Sequence, residues 1–189
     1  MKSAKTEERY TYQDYLSWPE GEHCELVDGV AYAKSPAPSY THQKTSGEIC
    51  RQMANQLLHR ECQLFAAPFD VKLTDPDQDD APTVVQPDIM VGCDPDRFNP
   101  RGHLGAPDLV VEIVSPDSGV ADRKRKYALY EQYGVREYWI VDPEEGVVEV
   151  YLLDKTGCYS RRSAYGPEET LSATAVTELS VDLTLVLSG

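Results

Sequence analysis

Three runs in this chain leave little choice of architecture. Residues 84–91 (Val-Val-Gln-Pro-Asp-Ile-Met-Val), 109–114 (Leu-Val-Val-Glu-Ile-Val) and 137–142 (Glu-Tyr-Trp-Ile-Val-Asp) are rich in β-branched and aromatic side chains. They are nearly continuous rather than alternating, as expected of central strands covered on both faces. Two of them nevertheless enclose a carboxylate, Asp88 and Glu112. An isolated ionised carboxylate in a buried strand is costly to desolvate. Such groups persist where they bind a cation or share a proton. Two acids and an ammonium that converge make a small site for a hard metal and a phosphate.

The ammonium comes from a helix. Residues 122–133 read as helical and are closed by Gly134 at the C′ position. Asp122, Lys126 and Tyr130 are spaced by four and share one face. Tyr130 is amphipathic, so this face is expected to pack on the sheet and carry Lys126 towards Glu112. Arg123, Lys124 and Arg125 are then expected to point outward, as charge runs usually do, where they could meet a nucleic-acid backbone.

The rest of the chain is consistent with one α/β domain over residues 1–189, with its core at about 40–153. Its 189 residues suffice for a real core. Thr11 and Asp14 read as the capping pair of a short helix. Asp28-Gly29, between two β-prone runs, signals an N-terminal hairpin. Pro36 and Pro38 break regular structure. Residues 42–60 read as a helix with Ile49, Met53 and Leu57 on its core face and Glu48 at the edge of that face. Residues 68–73 alternate like a half-buried strand. Residues 147–152 read as a strand, and the remaining C-terminal residues read as short edge strands.

Composition narrows the function. The net charge of −14 argues against passive nucleic-acid binding through a basic surface, though a metal site would add its own acids to that count. The acidic run at 74–80 lacks the glycine and distal glutamate of a calcium loop and reads as solvated. No apolar stretch reaches membrane-spanning length. The N-terminus shows no apolar signal segment. The five cysteines are scattered and odd in number, which fits reduced thiols in a cytoplasm better than a disulfide framework.

Val-Gln-Pro-Asp at 85–88, Gly-Ala-Pro-Asp-Leu-Val-Val-Glu-Ile-Val-Ser-Pro at 105–116, Asp122-x3-Lys126-x3-Tyr130, Gly-Val-Arg-Glu-Tyr-Trp-Ile-Val-Asp-Pro at 134–143 and, nearer the N-terminus, Glu-Leu-Val-Asp-Gly at 25–29 form one set of motifs. Together they resemble the Uma-two family of putative restriction endonucleases, in the PD-(D/E)XK nuclease superfamily, over residues 11–153. The resemblance implies a restriction-endonuclease-like core: a central mixed β-sheet flanked by helices, here with an N-terminal β-hairpin and C-terminal edge strands. It also implies a divalent metal and phosphodiester hydrolysis of nucleic acid, most readily DNA.

Carried over position by position, Asp88 matches the aspartate of the superfamily's Pro-Asp element and Glu112 its second acid. The lysine expected two places later is absent, since Val114 stands there, and Lys126 matches the lysine that related families supply from the next helix. Glu48 matches an acid carried on the first core helix. The implied site is therefore Asp88, Glu112, Lys126 and Glu48, with Asp88, Glu112 and the Ile113 carbonyl around Mg²⁺ or Mn²⁺.

Each residue has a plainer reading. Pro-Asp occurs at five places in the chain, so only its β-rich surroundings single out Asp88. Lys126 could belong to a solvated helix face, and Glu48 could be an ordinary surface acid. Asp70 is a further candidate. His42 could act as a base but reads as structural. Ser115-Pro116 reads as a strand end, with no histidine placed to activate the serine. Two other classes stay open: a nuclease-fold module without activity, and a hydrolase of another phosphoester. Any sequence specificity must come from loops, a homodimer or a partner.

Overall fold

The computed structural model describes residues 9–19, 24–33, 38–74, 80–114 and 120–188. The acidic run at 75–79, Pro36, Ser115-Pro116 and the side chain of Asp122 lie outside them.

Local signals near the N-terminus act as their chemistry dictates. Thr11 caps α1 (Tyr12–Leu16): its hydroxyl accepts the Asp14 amide, and the Asp14 carboxylate accepts the Thr11 amide at 2.8 Å. Asp28 (φ 49°) and Gly29 (φ 80°) turn β1 (Cys24–Val27) into β2 (Val30–Ala33), and glycine carries the larger positive φ without steric cost. Helix α2 (Tyr40–Leu57) starts two residues before the expected point because the Ser39 hydroxyl caps it, accepting the His42 amide at 3.2 Å. Thr45, Ile49, Met53 and Leu57 form its buried stripe.

Then come β3 (Gln63–Ala66), β4 (Val71–Lys72), β5 (Val84–Val85) and β6 (Ile89–Gly92). The expected single strand at 84–91 is in fact two. Pro87 has no N–H to give a ladder, and at Pro87-Asp88 the chain leaves one sheet for another. After β7 (Phe98–Asn99) and β8 (Gly102–Leu104), β9 (Leu109–Ile113) leads to α3 (Val120–Tyr133) and β10 (Glu137–Asp142). The last elements are β11 (Val147–Leu153), β12 (Tyr159–Tyr165), β13 (Thr170–Ser172), β14 (Ser180–Asp182) and α4 (Leu183–Leu187).

Among the described residues the strands form two six-stranded sheets and a hairpin. The main sheet has the order β12-β11-β10-β9-β6-β3. Its β3, β6 and β9 are antiparallel neighbours, and β10 returns parallel to β9 after the α3 crossover. The N-terminal hairpin forms as expected and is the edge of a second sheet, β2-β1-β5-β4-β8-β7. That sheet is assembled from strands of two to four residues, too short to show a period. The fold class is mixed α/β, with few helices on mixed sheets.

Helix α2 covers one face of the main sheet, where Ile49, Met53 and Leu57 meet Ile89, Val91, Val111 and Trp139. Helix α3 covers the other, where Leu129 and Tyr130 meet Met90, Val110, Tyr138 and Ile140 together with Val27, Val71 and Val85 of the second sheet. So α3 is held between two sheets. Among the described residues no helix is long and apolar enough to cross a membrane.

Two expectations are corrected. Cys62 and Cys93 are joined in a disulfide: they stand one step beyond the Gln63–Gly92 pair of β3 and β6 and so face one another across the strands, which spacing along the chain could not show. The C-terminal segment is more than edge strands. The β13–β14 hairpin and α4 pack on α2, where the Gln56 amide donates to the Ser180 carbonyl at 2.6 Å and Gln52 Oε1 accepts the Asp182 amide at 2.7 Å.

Glu137 fastens this segment to the main sheet. It is fully buried, its Oε2 accepts the Thr174 and Ala175 amides at 2.6 Å each, and its Oε1 accepts the Trp139 indole N–H at 2.7 Å. Glu137→Ala removes the acceptor of three donors, of which the Trp139 indole N–H is buried and costs about 1–3 kcal/mol when left unsatisfied. Chemical denaturation should therefore show a loss of at least about 1 kcal/mol. A loss within the error of the measurement would show that the C-terminal hairpin is held by packing alone.

Candidate active site

The strand amides decide where Asp88 goes. It stands one residue before β6, and extending the Ile89–Val111 register by one step sets it opposite Glu112. Its Oδ2 accepts the Ile113 amide at 2.8 Å, in the plane of the sheet. His42 Nε2, from the first turn of α2, lies 3.1 Å from the same oxygen. An ionised carboxylate only accepts, so Nε2 carries the hydrogen. Burial pushes the Asp88 carboxyl up. The His42 hydrogen bond and charge, the Ile113 amide and the Lys126 ammonium together outweigh burial and hold it below its ordinary 3.8.

Glu112 points to the α3 face and is 8% exposed. Its Oε1 accepts the Tyr130 hydroxyl at 2.6 Å and the Lys126 ammonium at 2.9 Å. Lys126 is itself buried, at 8% exposure. The helical spacing of four does what the sequence suggested, laying both donors on one strand carboxylate. Burial, reinforced by the charges of Glu112 and Glu25, raises the Tyr130 hydroxyl well above its ordinary value, so it stays a donor at any physiological pH.

A second buried acid joins Glu112 from the second sheet. Glu25 on β1 is 3% exposed; its Oε1 lies 3.4 Å from Lys126 Nζ and accepts the Gln86 amide at 3.2 Å. Gln86 then donates through its side chain to Asp70 Oδ1 at 2.9 Å, and that oxygen also accepts the Tyr15 hydroxyl at 3.0 Å. Asp70 thus belongs to a network beside the Asp88 segment, tied to α1.

The structure therefore brings together Asp88, Ile113, Glu112, Lys126 and Tyr130, with His42 and Glu25. Glu48 is placed differently. It lies on the flank of α2 that faces the C-terminal hairpin, with Oε2 accepting Arg51 Nε at 2.9 Å and Oε1 accepting Gln52 Nε2 at 2.9 Å. The Arg51 hydrogen bonds lower its pKa against a small opposing effect of burial. Nearer the start of α2, it is His42 that reaches Asp88. The basic run also departs from the outward picture. Arg123 pairs with the buried Glu149 of β11, and Arg125 lies 3.8 Å over the Tyr32 ring of β2. Lys124 is exposed. A surface appearance in the sequence concealed two tethers that only the second sheet and β11 supply.

Can the donor set hold a hard cation? Among the described residues no group of three or more His, Cys, Asp or Glu side chains is spaced for a metal. A magnesium-type ion needs less, since it uses one or two carboxylates and keeps several waters. In an extended strand the N–H and C=O of one residue point to the same side, so the Ile113 carbonyl lies on the Asp88 side of β9. Two carboxylates and this carbonyl fit such an ion in kind. Glu112 Oε1, however, carries Lys126 in this arrangement.

With this geometry in view, known proteins give the class and then the family. The fold is shared with the crystal structure of a protein described as a "putative nuclease belonging to DUF820" from Anabaena variabilis ATCC 29413. The TM-score is 0.74 at 20% identity, over 94% of this chain and 97% of that one. "Uncharacterized protein slr1290" of Synechocystis sp. is 26% identical over 148 residues, 77% of this chain and 75% of that protein. The Uma2 family model, described as "Putative restriction endonuclease", matches residues 12–185. The chain belongs to the Uma2 family. The match extends past residue 153, so the C-terminal hairpin and the start of α4 are part of what the family shares.

The lowered Asp88 pKa has a consequence for stability. A carboxyl whose folded pKa is depressed stabilises the fold above its unfolded pKa, and that contribution is lost as pH falls through the folded value. Wild-type stability should therefore decline below about pH 3.8 in part through Asp88. Asp88→Asn should flatten that part of the curve, measured by denaturant titration at stepped pH. Identical pH dependence in both proteins would mean that the His42 and Ile113 contacts do not favour the ionised form.

Proposed function

We propose that this chain is a divalent-cation-dependent endonuclease that hydrolyses phosphodiester bonds of nucleic acid, DNA first among the candidates. The observation that carries this reading is the buried Glu112–Lys126 pair beside Asp88. Lys126 of α3 meets Glu112 where Val114 supplies no cation, and this supports an acid, acid and cation pattern whose sequence form is broken. The family and its fold agree with nuclease chemistry.

Asp88, Glu112 and the Ile113 carbonyl would hold Mg²⁺ or Mn²⁺. The chemistry supplied there is charge neutralisation on the scissile phosphate and a water of lowered pKa. The chain's own residues do the rest. The Ile113 amide and His42 keep Asp88 ionised and fixed. Tyr130, locked as a donor, fixes Glu112. The Lys126 ammonium, delivered from a helix clamped between two sheets, stabilises charge that builds on the phosphate oxygens during attack. A preorganised cation in a partly dry site is worth more than the same charge in water.

One specific observation favours a second reading, an inactive nuclease-fold binding module. The chain carries a net charge of −14, and two of the residues expected to meet a phosphate backbone, Arg123 and Arg125, are tethered to Glu149 and Tyr32. A cleavage assay with Mg²⁺ or Mn²⁺ on single- and double-stranded DNA and RNA, wild type against Glu112→Ala, separates the two. Cleavage lost on substitution is the expected outcome; no cleavage by a wild type that still binds nucleic acid supports the module.

The lysine gives a sharper contrast. Lys126→Met should lower turnover by about a hundredfold or more, as removal of a transition-state charge does, without weakening Mn²⁺ binding, since an ammonium is not a ligand. Lys124→Ala, on the exposed face, should change turnover only slightly and in a salt-dependent way. Equal small effects from both would remove Lys126 from the chemistry.

A further inference from the structure

Lys126 meets a carboxylate from each sheet. Its Nζ lies 2.9 Å from Glu112 Oε1 on β9 and 3.4 Å from Glu25 Oε1 on β1. All three groups are buried, Glu25 most deeply at 3% exposure. A structural counter-ion needs one carboxylate; a second buried acid beside the same ammonium adds a desolvation cost that wants a reason. That reason is supplied by what must happen if a cation engages Glu112, a step that rests on the proposed function. Lys126 then loses its nearer carboxylate while remaining buried, and a buried ammonium is costly unless another carboxylate takes that place.

We propose that Glu25 is a positioning residue that receives Lys126 when a divalent cation takes Glu112, so that the ammonium keeps a buried carboxylate partner and stays aimed at the phosphate. The transfer is short. The Glu25 oxygen already stands 3.4 Å away, so a side-chain adjustment of Lys126 suffices and α3 need not move. Glu25 is also fixed relative to the cation site itself, since its Oε1 accepts the amide of Gln86, two residues before Asp88. The acid that receives the lysine and the acid that would hold the cation are thus borne on directly bonded segments.

A plainer role for Glu25 is to satisfy the Gln86 amide. Glu25→Gln separates the roles, because a glutamine oxygen still accepts that amide but carries no charge. The experiment follows the Lys126 ammonium by ¹H–¹⁵N NMR, assigned by its loss in Lys126→Met, with Mg²⁺ as a diamagnetic probe. In the wild type the signal should shift on adding Mg²⁺ and persist at saturation. In Glu25→Gln it should be present without Mg²⁺, held by Glu112, and vanish by fast exchange at saturation. In Glu112→Gln, Mg²⁺ should leave it unchanged. Turnover in Glu25→Gln should fall by about ten- to a hundredfold, as for loss of an outer partner of a metal site, with the melting temperature retained.

A signal that persists in Mg²⁺-saturated Glu25→Gln as it does in the wild type overturns the proposal while leaving the cation site intact. A signal already absent from metal-free Glu25→Gln also overturns it, since Glu25 would then be the sole holder. A wild-type signal indifferent to Mg²⁺ overturns the cation site itself, and the proposal falls with it.

Discussion

A carboxylate in the middle of a covered strand must be neutralised where it stands, and much of this structure depends on how Glu112 is neutralised. Its neighbours on β9, Val110, Val111 and Ile113, are committed to the two core faces, so the strand cannot rotate the acid out to water. The compensating groups must come to it. Lys126 and Tyr130 do so from one face of α3, and this fixes both the rotation of the helix about its axis and its height above the sheet. With those two set, Leu129 and Tyr130 fall on Met90, Val110 and Tyr138, and the α3 crossover delivers β10 alongside β9 in parallel register. The polar contact and the apolar packing on this face are one constraint satisfied together, not two contributions that happen to agree.

The second constraint is the passage of the chain between sheets at residues 85–89. Val85 pairs in the second sheet and Ile89 in the main one. Between them lie the residues that serve both. Gln86 gives its amide to Glu25 and its side chain to Asp70, while Asp88 takes the Ile113 amide. Proline at 87 suits this place because a residue in transit has no ladder partner to lose. The consequence is that acids from two sheets and a histidine from α2 meet at one sheet junction, where backbone amides help to position Glu25 and Asp88.

What the sequence revealed and concealed divides along physical lines. The central strands, the two main helices and the Glu112–Lys126–Tyr130 arrangement were legible because each is written in local periodicity: continuous apolar runs, a stripe at every fourth place, two donors four residues apart. The second sheet was not, because Val71–Lys72, Val84–Val85 and Phe98–Asn99 span two residues each and are too short to carry a period of their own. Glu25 carried the same sign as Glu112, an acid in an apolar strand-like run. In the sequence it stands only as part of the 25–29 motif, because an acid in a short hairpin strand can face solvent, and only the second sheet shows that this one is buried. The His42–Asp88 contact was hidden for a different reason: a histidine in the first helical turn is ordinary, and only the packing of α2 on the main sheet shows which acid lies beneath it.

The charge balance also looks different once the pairs are placed. The excess of acids, 32 against 18 Lys and Arg, is not spread evenly over buried and exposed positions. Arg123 is spent on Glu149, Arg136 on Asp108, Arg51 on Glu48 and Lys126 on Glu112 and Glu25. Each of these pairs ties up a basic group for one acid, or for two at Lys126, so the rest of the chain keeps nearly all of the net charge of −14. A phosphodiester approaching such a surface is repelled at long range, the more so at low ionic strength. On the proposed reading, attraction must then be generated at the site, by a bound cation and by an ammonium that can exchange one carboxylate partner for another. Electrostatics of this form would suit a chain that acts where a cation is bound and holds nucleic acid weakly where it is not.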